Sequence, residues 1–339
     1  MTASSTSHVS HDDLLVIEGL VFFSDGDPAP LRQGNVAAAN VTTATFLDLA
    51  ATIDVTGQWL KLLSAPNSPW LLVRSASDIE LARSTGRVGF IMGWQNSDPF
   101  GSSLDRVHVF HALGLRVAQL TYNQANLVGD GCLEKRNAGL TVFGKQLVEE
   151  MNQVGIAVDL SHSAENTCLD AAKTSKRPVI LSHANAYAVD ARPRNKSDEV
   201  LRAVAATGGV IGVSVHGFMN WNGDPKSPPT LDGFVRHIRH VGNLVGYEHV
   251  GIGNDFAAVS DPLTAQTILD WSKAKQPGAT SDYIAAFGNS LAGRYPSDTP
   301  SPREMGKLTL ALSAAGLSGA QIEGIVGRNF LRTFGEIWR

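Results

Sequence analysis

Side chains capable of catalysis follow several of the apolar segments of this 339-residue chain. Two of these segments end in histidines, His162 and His183, and a later one ends in Asp255. Imidazole is a common zinc ligand, and two histidines with an oxygen ligand and a water form a plausible catalytic site. A carboxylate nearby can take a proton from that water or hold a cationic group of the substrate. The residue types therefore predict metal-assisted hydrolysis.

The elements that must position these residues are eight apolar, largely β-branched segments with Gly, Pro or polar residues at their edges. Such segments are typical of strands that are buried on both faces. We predict strands over 14–22, 35–42, 88–95, 115–122, 156–162, 178–183, 210–216 and 249–256.

Helical patterns separate the strands. Apolar residues between 140 and 155 recur with a 3.6-residue period that ends at Gly155. Ser163 and Ser197 are candidate N-caps of two further helices. Strand and helix in alternation predict parallel strands with right-handed crossovers. We expect an α/β fold, a (β/α)8 TIM-type barrel, although the pattern alone leaves an open sheet as an alternative. In such a barrel the active site forms at the carboxyl ends of the strands.

One domain accounts for the whole chain, 1–339. The residues before the first strand, 1–13, are polar and predict a flexible N-terminus. The residues after the last strand, 257–307, are interrupted by prolines and predict an excursion over the barrel mouth, with a short helix around 281–292.

Composition excludes several classes of function. The chain is 43% hydrophobic and 18% charged, with a net charge of −4, which gives no reason to expect a nucleic acid or a membrane surface as partner. No Gly-rich phosphate loop follows the first strand, so a dinucleotide-binding sheet is disfavoured. No signal peptide, apolar span or disulfide framework is recognisable, and we expect a cytoplasmic protein.

Short motifs in a fixed order extend over about 245 residues of the chain, from 88 to 332. On these motifs the chain resembles the renal (membrane) dipeptidases, which are zinc enzymes on an amidohydrolase-type barrel. The resemblance implies a dipeptide or a related small amide as substrate, and pairing as a homodimer. The motifs are Leu120-Thr121, Gly139-Leu140-Thr141, Asp159-Leu160-Ser161-His162, Ser182-His183, Arg194-Asn195, Gly251-Ile252-Gly253 and Gly327-Arg328-Asn329-Phe330-Leu331-Arg332.

The resemblance also implies roles for single residues. His162 and His183 fall where the family keeps the two histidines of its second zinc. Arg194 falls where a substrate carboxylate is bound, which suits a planar guanidinium. Asp255 falls where an acidic residue handles protons and meets the amino end of the substrate.

Three further residues at strand ends are predicted to contact the substrate. They are Gln95 after the third strand, Asn123 after the fourth and His216 after the seventh. His216 is also a candidate third metal ligand or acid/base.

The chain departs from the family pattern at four positions. Leu20 and Phe22 stand where the family has the His-x-Asp pair of its first zinc, and neither can bind a metal. Gln95 replaces the bridging glutamate, and a neutral amide cannot bridge two cations. Tyr122 replaces a substrate-facing histidine. It could donate a hydrogen bond to a carbonyl oxygen, or it could simply pack at the rim.

These substitutions agree with each other, because a site without a second cation needs no bridging carboxylate. We therefore predict a metal-assisted hydrolase with one Zn2+, with Asp255 and Tyr122 as catalytic residues. One alternative is a barrel enzyme of altered reaction, such as a lactonase or dehydratase-type tailoring enzyme. The other is a binding barrel without catalysis.

Overall fold

The computed structural model of the chain describes residues 9–275, 281–299 and 301–339. Ten parallel strands are present in these residues, and eight segments of the barrel wall correspond to the eight predicted strands, so the predicted fold class is confirmed. The strands are β1 Val16–Ser24, β2 Val36–Ala44, β3 Trp70–Leu72, β4 Val88–Trp94, β5 Leu115–Gln119, β6 Ala157–Asp159, β7 Ile180–Leu181, β8 Val210–Val213, β9 Val250–Ile252 and β10 Phe256–Ala258.

The sheet closes on itself. Its order is β10-β1-β2-β4-β5-β6-β7-β8-β9, and only the residues 253–255 separate β9 from β10 along the chain. β9 therefore pairs with β8, β10 pairs with β1, and together they form the eighth strand of the barrel wall. A closed barrel leaves no open sheet edge in the wall, which removes the alternative of an open sheet.

Several predicted strands are too long at their carboxyl ends, whereas β1 and β2 extend two residues beyond their predicted ends. β6 ends at Asp159 and β7 at Leu181, so His162 and His183 lie beyond the paired strands. Strand β3 was not predicted; it pairs with the first half of β4, beside the point at which β5 joins the second half. Three residues that pair with only one neighbour carry too weak a pattern to be recognised in the sequence.

Helices cover the outside of the wall. Ser197 caps the helix Asp198–Ala206 by accepting a hydrogen bond from Val200 N, as predicted. The predicted capping of the helix Glu165–Thr174 by Ser163 is wrong, because Ser163 is buried and its hydroxyl bonds to that of Thr121. The helices are α1 Ala29–Gln33, α2 Leu49–Leu63, α3 Ala76–Ser84, α4 Asp105–Leu113, α5 Val142–Val154, α6 Glu165–Thr174, α7 Asp198–Ala206, α8 Leu231–Val245, α9 Pro262–Lys275, α10 Ser281–Phe287, α11 Leu291–Arg294, α12 Met305–Ala314, α13 Gly319–Glu323 and α14 Asn329–Ile337.

The C-terminal helix α14 closes the bottom of the barrel. Phe330 and Phe334 from this helix are fully buried in a cluster with the inward residues of seven strands. Those strand residues are Ile17, Ala38, Ile91, Val117, Ala157, Ile180 and Val210. Apolar packing thus fills the lower interior, and the polar residues are left to the opposite end.

The predicted N-terminal tail and mouth excursion extend partly outside the described residues, which omit 1–8, 276–280 and 300. Within the described part, His11 bonds to Thr309 Oγ1 and Gly34 O. The excursion contains α9, α10 and α11, where one short helix was predicted around 281–292. Among the described residues, no helix has the length and apolar character needed to span a bilayer.

Candidate active site

Two imidazoles meet at the barrel mouth. Nε2 of His162 and Nε2 of His183 are 3.0 Å apart, and both rings are buried. Burial lowers the pKa of both rings well below the ordinary value, and the nearby Arg194 lowers it further. Both rings are therefore neutral near pH 7, the state in which imidazole binds a metal.

The other nitrogen of each ring is held in place. Nδ1 of His162 lies 2.7 Å from Asn123 Oδ1, which only accepts hydrogen bonds, so this nitrogen carries the proton and Nε2 offers a lone pair. Nδ1 of His183 lies 2.8 Å from Ser182 Oγ. If this serine accepts, a second lone pair faces that of His162, and a cation belongs between them. If it donates, the two rings share an N–H···N bond.

A buried carboxylate lies beneath this pair. Oδ1 of Asp159 accepts hydrogen bonds from Ser161 N, from Ser161 Oγ and from Ser182 N. The Ser161 hydroxyl in turn accepts from His183 N at 3.1 Å and lies 3.1 Å from Ser182 Oγ. Burial raises the pKa of the Asp159 carboxyl. The chain of contacts fixes both strand ends, and with them the two histidines.

Arg194 lies against the same strand ends. Its guanidinium donates to the carbonyl oxygens of Ser161 and His183, the latter at 3.3 Å. The side chain is almost fully buried and lines the cavity above His162. A cation in this position is ready to bind an anionic group of a ligand.

Asp255 lies on the other half of the mouth, in the break between β9 and β10. Its backbone is left-handed, with φ of 58°, which is uncommon for residues other than Gly and often marks a functional position. Oδ2 accepts a 2.9 Å hydrogen bond from Arg294 Nη2, and Tyr295 donates to the Asp255 carbonyl at 2.6 Å. Burial raises the pKa of the Asp255 carboxyl, and Arg294 opposes this rise.

A second buried carboxylate, Glu18 on β1, supports Asp255 from below. It accepts from Asn254 N at 2.6 Å and from Asn254 Nδ2 at 2.7 Å. Burial raises the Glu18 pKa to about 7, against the hydrogen bonds from Asn254. The residue next to Asp255 is thus tied to the first strand.

The remaining predicted site residues lie at the same mouth. Tyr122 stacks on His162, with ring centroids 3.9 Å apart, and Gln95 donates to Thr42 Oγ1 at 3.0 Å. Asn123 lines the cavity but also holds His162. His216 accepts from Phe218 N at Nδ1, which puts the proton of the neutral ring on Nε2, 3.7 Å from Asp255 Oδ2.

Most of the predicted residues therefore line one cavity, of about 90 Å³. It contains Tyr122, Asn123, His162, Arg194, His216 and Asp255, with further walls from the excursion. His183 lies beside it through its contact with His162. Gln95 faces a neighbouring apolar cavity instead.

The histidine pair fits one cation. Zinc–nitrogen distances are about 2.0–2.1 Å, so two nitrogens 3.0 Å apart can share an ion. Among the residues described, no group of three His, Cys, Asp or Glu side chains converges, so the pair provides two of the usual three protein ligands. Leu20 and Phe22 provide no ligand for a second cation, and the guanidinium of Arg294 lies 4.2 Å above the Phe22 ring.

Sequence reasoning missed Arg294 and Glu18. Arg294 lies in the excursion, 39 residues after its partner Asp255, and nothing in its local sequence indicates a site. Glu18 is the only acidic residue of the first strand, 236 residues before Asn254. A carboxylate inside an apolar strand was a signal that could have been used, because a buried charge needs a partner.

Taken together, the closed barrel and the polar mouth define an amidohydrolase-like barrel enzyme. The model of the membrane dipeptidase family, peptidase family M19, matches residues 39–276. The chain belongs to this family, which confirms the resemblance and supports the predicted class of dipeptidase-like hydrolase.

Individual relatives agree with this assignment. Dipeptidase tcpJ of Claviceps purpurea is 30% identical over 94% of this chain and 66% of its own length. Dipeptidase verJ of Clonostachys rogersoniana is 34% identical over 78% of this chain and 68% of its own length. The chain thus spans about two thirds of the length of these relatives. The crystal structure of an amidohydrolase from Pseudomonas aeruginosa has a TM-score of 0.81 and 31% identity, and the match covers 97% of this chain and 98% of that one.

Proposed function

We propose that this protein is a metal-assisted hydrolase of a small amide or dipeptide-like substrate, with one zinc ion on His162 and His183. The observation that carries the proposal is the pair of neutral imidazoles with Nε2 atoms 3.0 Å apart, each fixed through its other nitrogen. A zinc ion at this pair would supply Lewis acidity toward the substrate carbonyl.

The protein's own groups account for binding and proton transfer. Arg194 binds the substrate carboxylate, because its guanidinium faces the cavity while carbonyl oxygens of the barrel hold it in place. Asp255 removes a proton from the attacking water and later delivers it to the leaving nitrogen, for which a raised pKa is favourable.

Two neutral groups complete this arrangement. Tyr122 donates to the carbonyl oxygen as negative charge develops there. His216 presents Nε2–H toward Asp255 and the substrate.

The metal part is tested by elemental analysis of the full chain purified without chelators. We expect about one zinc per chain, and none in a His162→Ala, His183→Ala double variant. His108→Ala is the matched control, since the His108 side chain is 58% exposed and remote from the mouth, and it should keep the metal. Two zinc ions per chain, or none in the unmodified protein, would contradict the proposal.

The hydrolytic part is tested on a panel of dipeptides, simple amides and lactones with the same three proteins. Amide hydrolysis that disappears only in the double variant would support the proposed reaction. Turnover of lactones alone would indicate the altered-reaction enzyme. No metal and no turnover would leave a binding barrel.

A further inference from the structure

Two cavities of different character meet at the barrel mouth. The polar cavity of about 90 Å³ contains His162 and Arg194, and a second cavity of about 380 Å³ lies beside it. Tyr122, Asp255 and Arg294 line both. A ligand that reaches from one cavity to the other must therefore pass the catalytic carboxylate.

The second cavity is apolar. Its walls come from the ends of β1 and β2, from α2 and from α9, and they contain Phe22, Phe46, Leu47, Val55, Trp59 and Ile268. An apolar cavity of ~150 Å³ is enough to hold benzene. The larger cavity here has room for an aromatic ring or a medium-length alkyl chain, and burying such a group is favourable in proportion to its apolar area.

Charge at the junction disfavours a cationic group. The described walls of the polar cavity contain three cationic side chains, Arg194, Lys273 and Arg294, against one carboxylate, Asp255. That carboxylate is already paired with Arg294 at 2.9 Å. The free amino group of a dipeptide would be placed next to a buried guanidinium, and like charges at such distances repel strongly.

One hydrogen-bond donor of the Arg294 guanidinium, Nε, is available to a ligand. Its Nε is buried and has no hydrogen-bond partner among the described residues, and its pKa is raised by the nearby Asp255 carboxylate although burial alone would lower it. A buried donor without an acceptor is costly. A carbonyl oxygen of a bound ligand is a neutral acceptor that would satisfy it.

We propose that the preferred substrate is an N-acyl amino acid with an apolar acyl group, and that Arg294 determines this specificity. The inference rests on the proposed hydrolase function. The carboxylate of the amino acid binds Arg194, the acyl chain fills the apolar cavity, and the amide lies between them at Asp255. Water adds its hydroxyl to the acyl carbon, the C–N bond breaks, and the nitrogen takes the proton. The products are a carboxylic acid and a free amino acid.

The first test compares N-octanoyl-alanine, N-acetyl-alanine and alanyl-alanine, each in both configurations at the α-carbon. We expect kcat/KM for the octanoyl compound to exceed that for the dipeptide by roughly 10²-fold, a discrimination within reach of an apolar pocket. A dipeptide preferred over the octanoyl compound would overturn the inference while supporting the hydrolase itself.

Single-residue variants test whether the apolar cavity and Arg294 cause the preference for the octanoyl compound. Val55→Trp narrows the apolar cavity and should lower kcat/KM for N-octanoyl-alanine about tenfold more than for N-acetyl-alanine. Ile53→Trp is the matched control on the same helix, because Ile53 is 50% exposed, and it should change neither value. Arg294→Gln should reduce the preference over the dipeptide. Equal effects of Val55→Trp on both substrates would contradict the assigned cavity.

A binding measurement separates this inference from the proposed reaction. Calorimetric titration of the unmodified protein with N-octanoyl-alanine and with alanyl-alanine requires no turnover. Tighter binding of the octanoyl compound in the absence of hydrolysis would uphold the substrate class and reject the hydrolase. Equal or no binding of both would overturn the substrate class.

Discussion

The two halves of the barrel mouth differ in how they handle charge. On the β6–β7 side, hydrogen bonds run from Asp159 through two serines to His183, and His162 is fixed through Asn123. On the β1–β10 side, apolar Phe22 lies beneath a guanidinium that is paired with Asp255. The first half would hold the proposed zinc ion, whereas the second half contains a guanidinium. A carboxylate at the barrel mouth can thus be neutralised by an arginine instead of a metal ion.

The largest loss is expected at Asp255, on the β1–β10 half. Asp255→Asn removes the base and leaves Arg294 without its anionic partner, so kcat should fall by ~10²–10⁴-fold. Steady-state kinetics checks this, with thermal unfolding to establish that the variant folds. The exposed Asp54→Asn is the control and should be unchanged. A kcat within a few-fold of the unmodified protein would exclude Asp255 as the base.

A variant of Tyr122 distinguishes an effect on catalysis from an effect on metal binding in the histidine half. Tyr122→Phe keeps the ring that stacks on His162 and removes only the hydroxyl. If the hydroxyl stabilises the developing oxyanion, kcat should fall by roughly 10²-fold while the zinc content stays the same. Unchanged kcat would identify the residue as packing of the rim.

The pH dependence of stability tests the role of Glu18 in the β1–β10 half. Its folded-state pKa of about 7 exceeds the unfolded value of 4.5, so the folded protein binds the proton more tightly. The stabilisation that comes from the bound proton is therefore present in full below pH 4.5 and is lost as pH rises through 7. The free energy of unfolding changes by an amount on the order of 3 kcal/mol.

Glu18→Gln should remove that slope from the free energy of unfolding measured in denaturant between pH 4.5 and 8. The Gln amide also meets the Asn254 amide donor, so absolute stability should fall as well. The slope, not the absolute value, is the test. An identical slope in both proteins would show that Glu18 does not titrate in this range.

The smallest effect is expected on zinc affinity, from a change at Asn123, which fixes His162. Asn123→Leu removes the acceptor that fixes the His162 tautomer, and loss of such a partner typically weakens metal binding 10–100-fold. Competition with a zinc chelator measures the affinity. Asn67→Leu, at an exposed position, is the control. An unchanged affinity would mean that Asn123 does not orient the ring.

The sequence predicted the wall of the barrel more completely than its mouth. Buried parallel strands are continuous apolar segments, and each of the eight segments of the barrel wall was recognised without knowledge of its neighbours. His162, His183 and Asp255 were predicted as site residues because they lie two or three residues beyond the carboxyl ends of such strands. The pairing of Asp255 with Arg294 joins a strand end to a helix of the excursion, and no local pattern encodes that contact. The assigned roles remain predictions until these variants are measured.

Glu18 accepts hydrogen bonds from Asn254, which lies 236 residues further along the chain. Arg294, the partner of Asp255, follows Asn254 in the sequence. During synthesis on the ribosome, the histidine half is complete when residues up to 194 have emerged, but the eighth strand and the arginine that neutralises Asp255 are not. A nascent chain therefore holds its potential metal ligands well before it holds a complete reaction centre. The proposed reaction, which requires Asp255, can therefore begin only after the eighth strand has been added to the barrel.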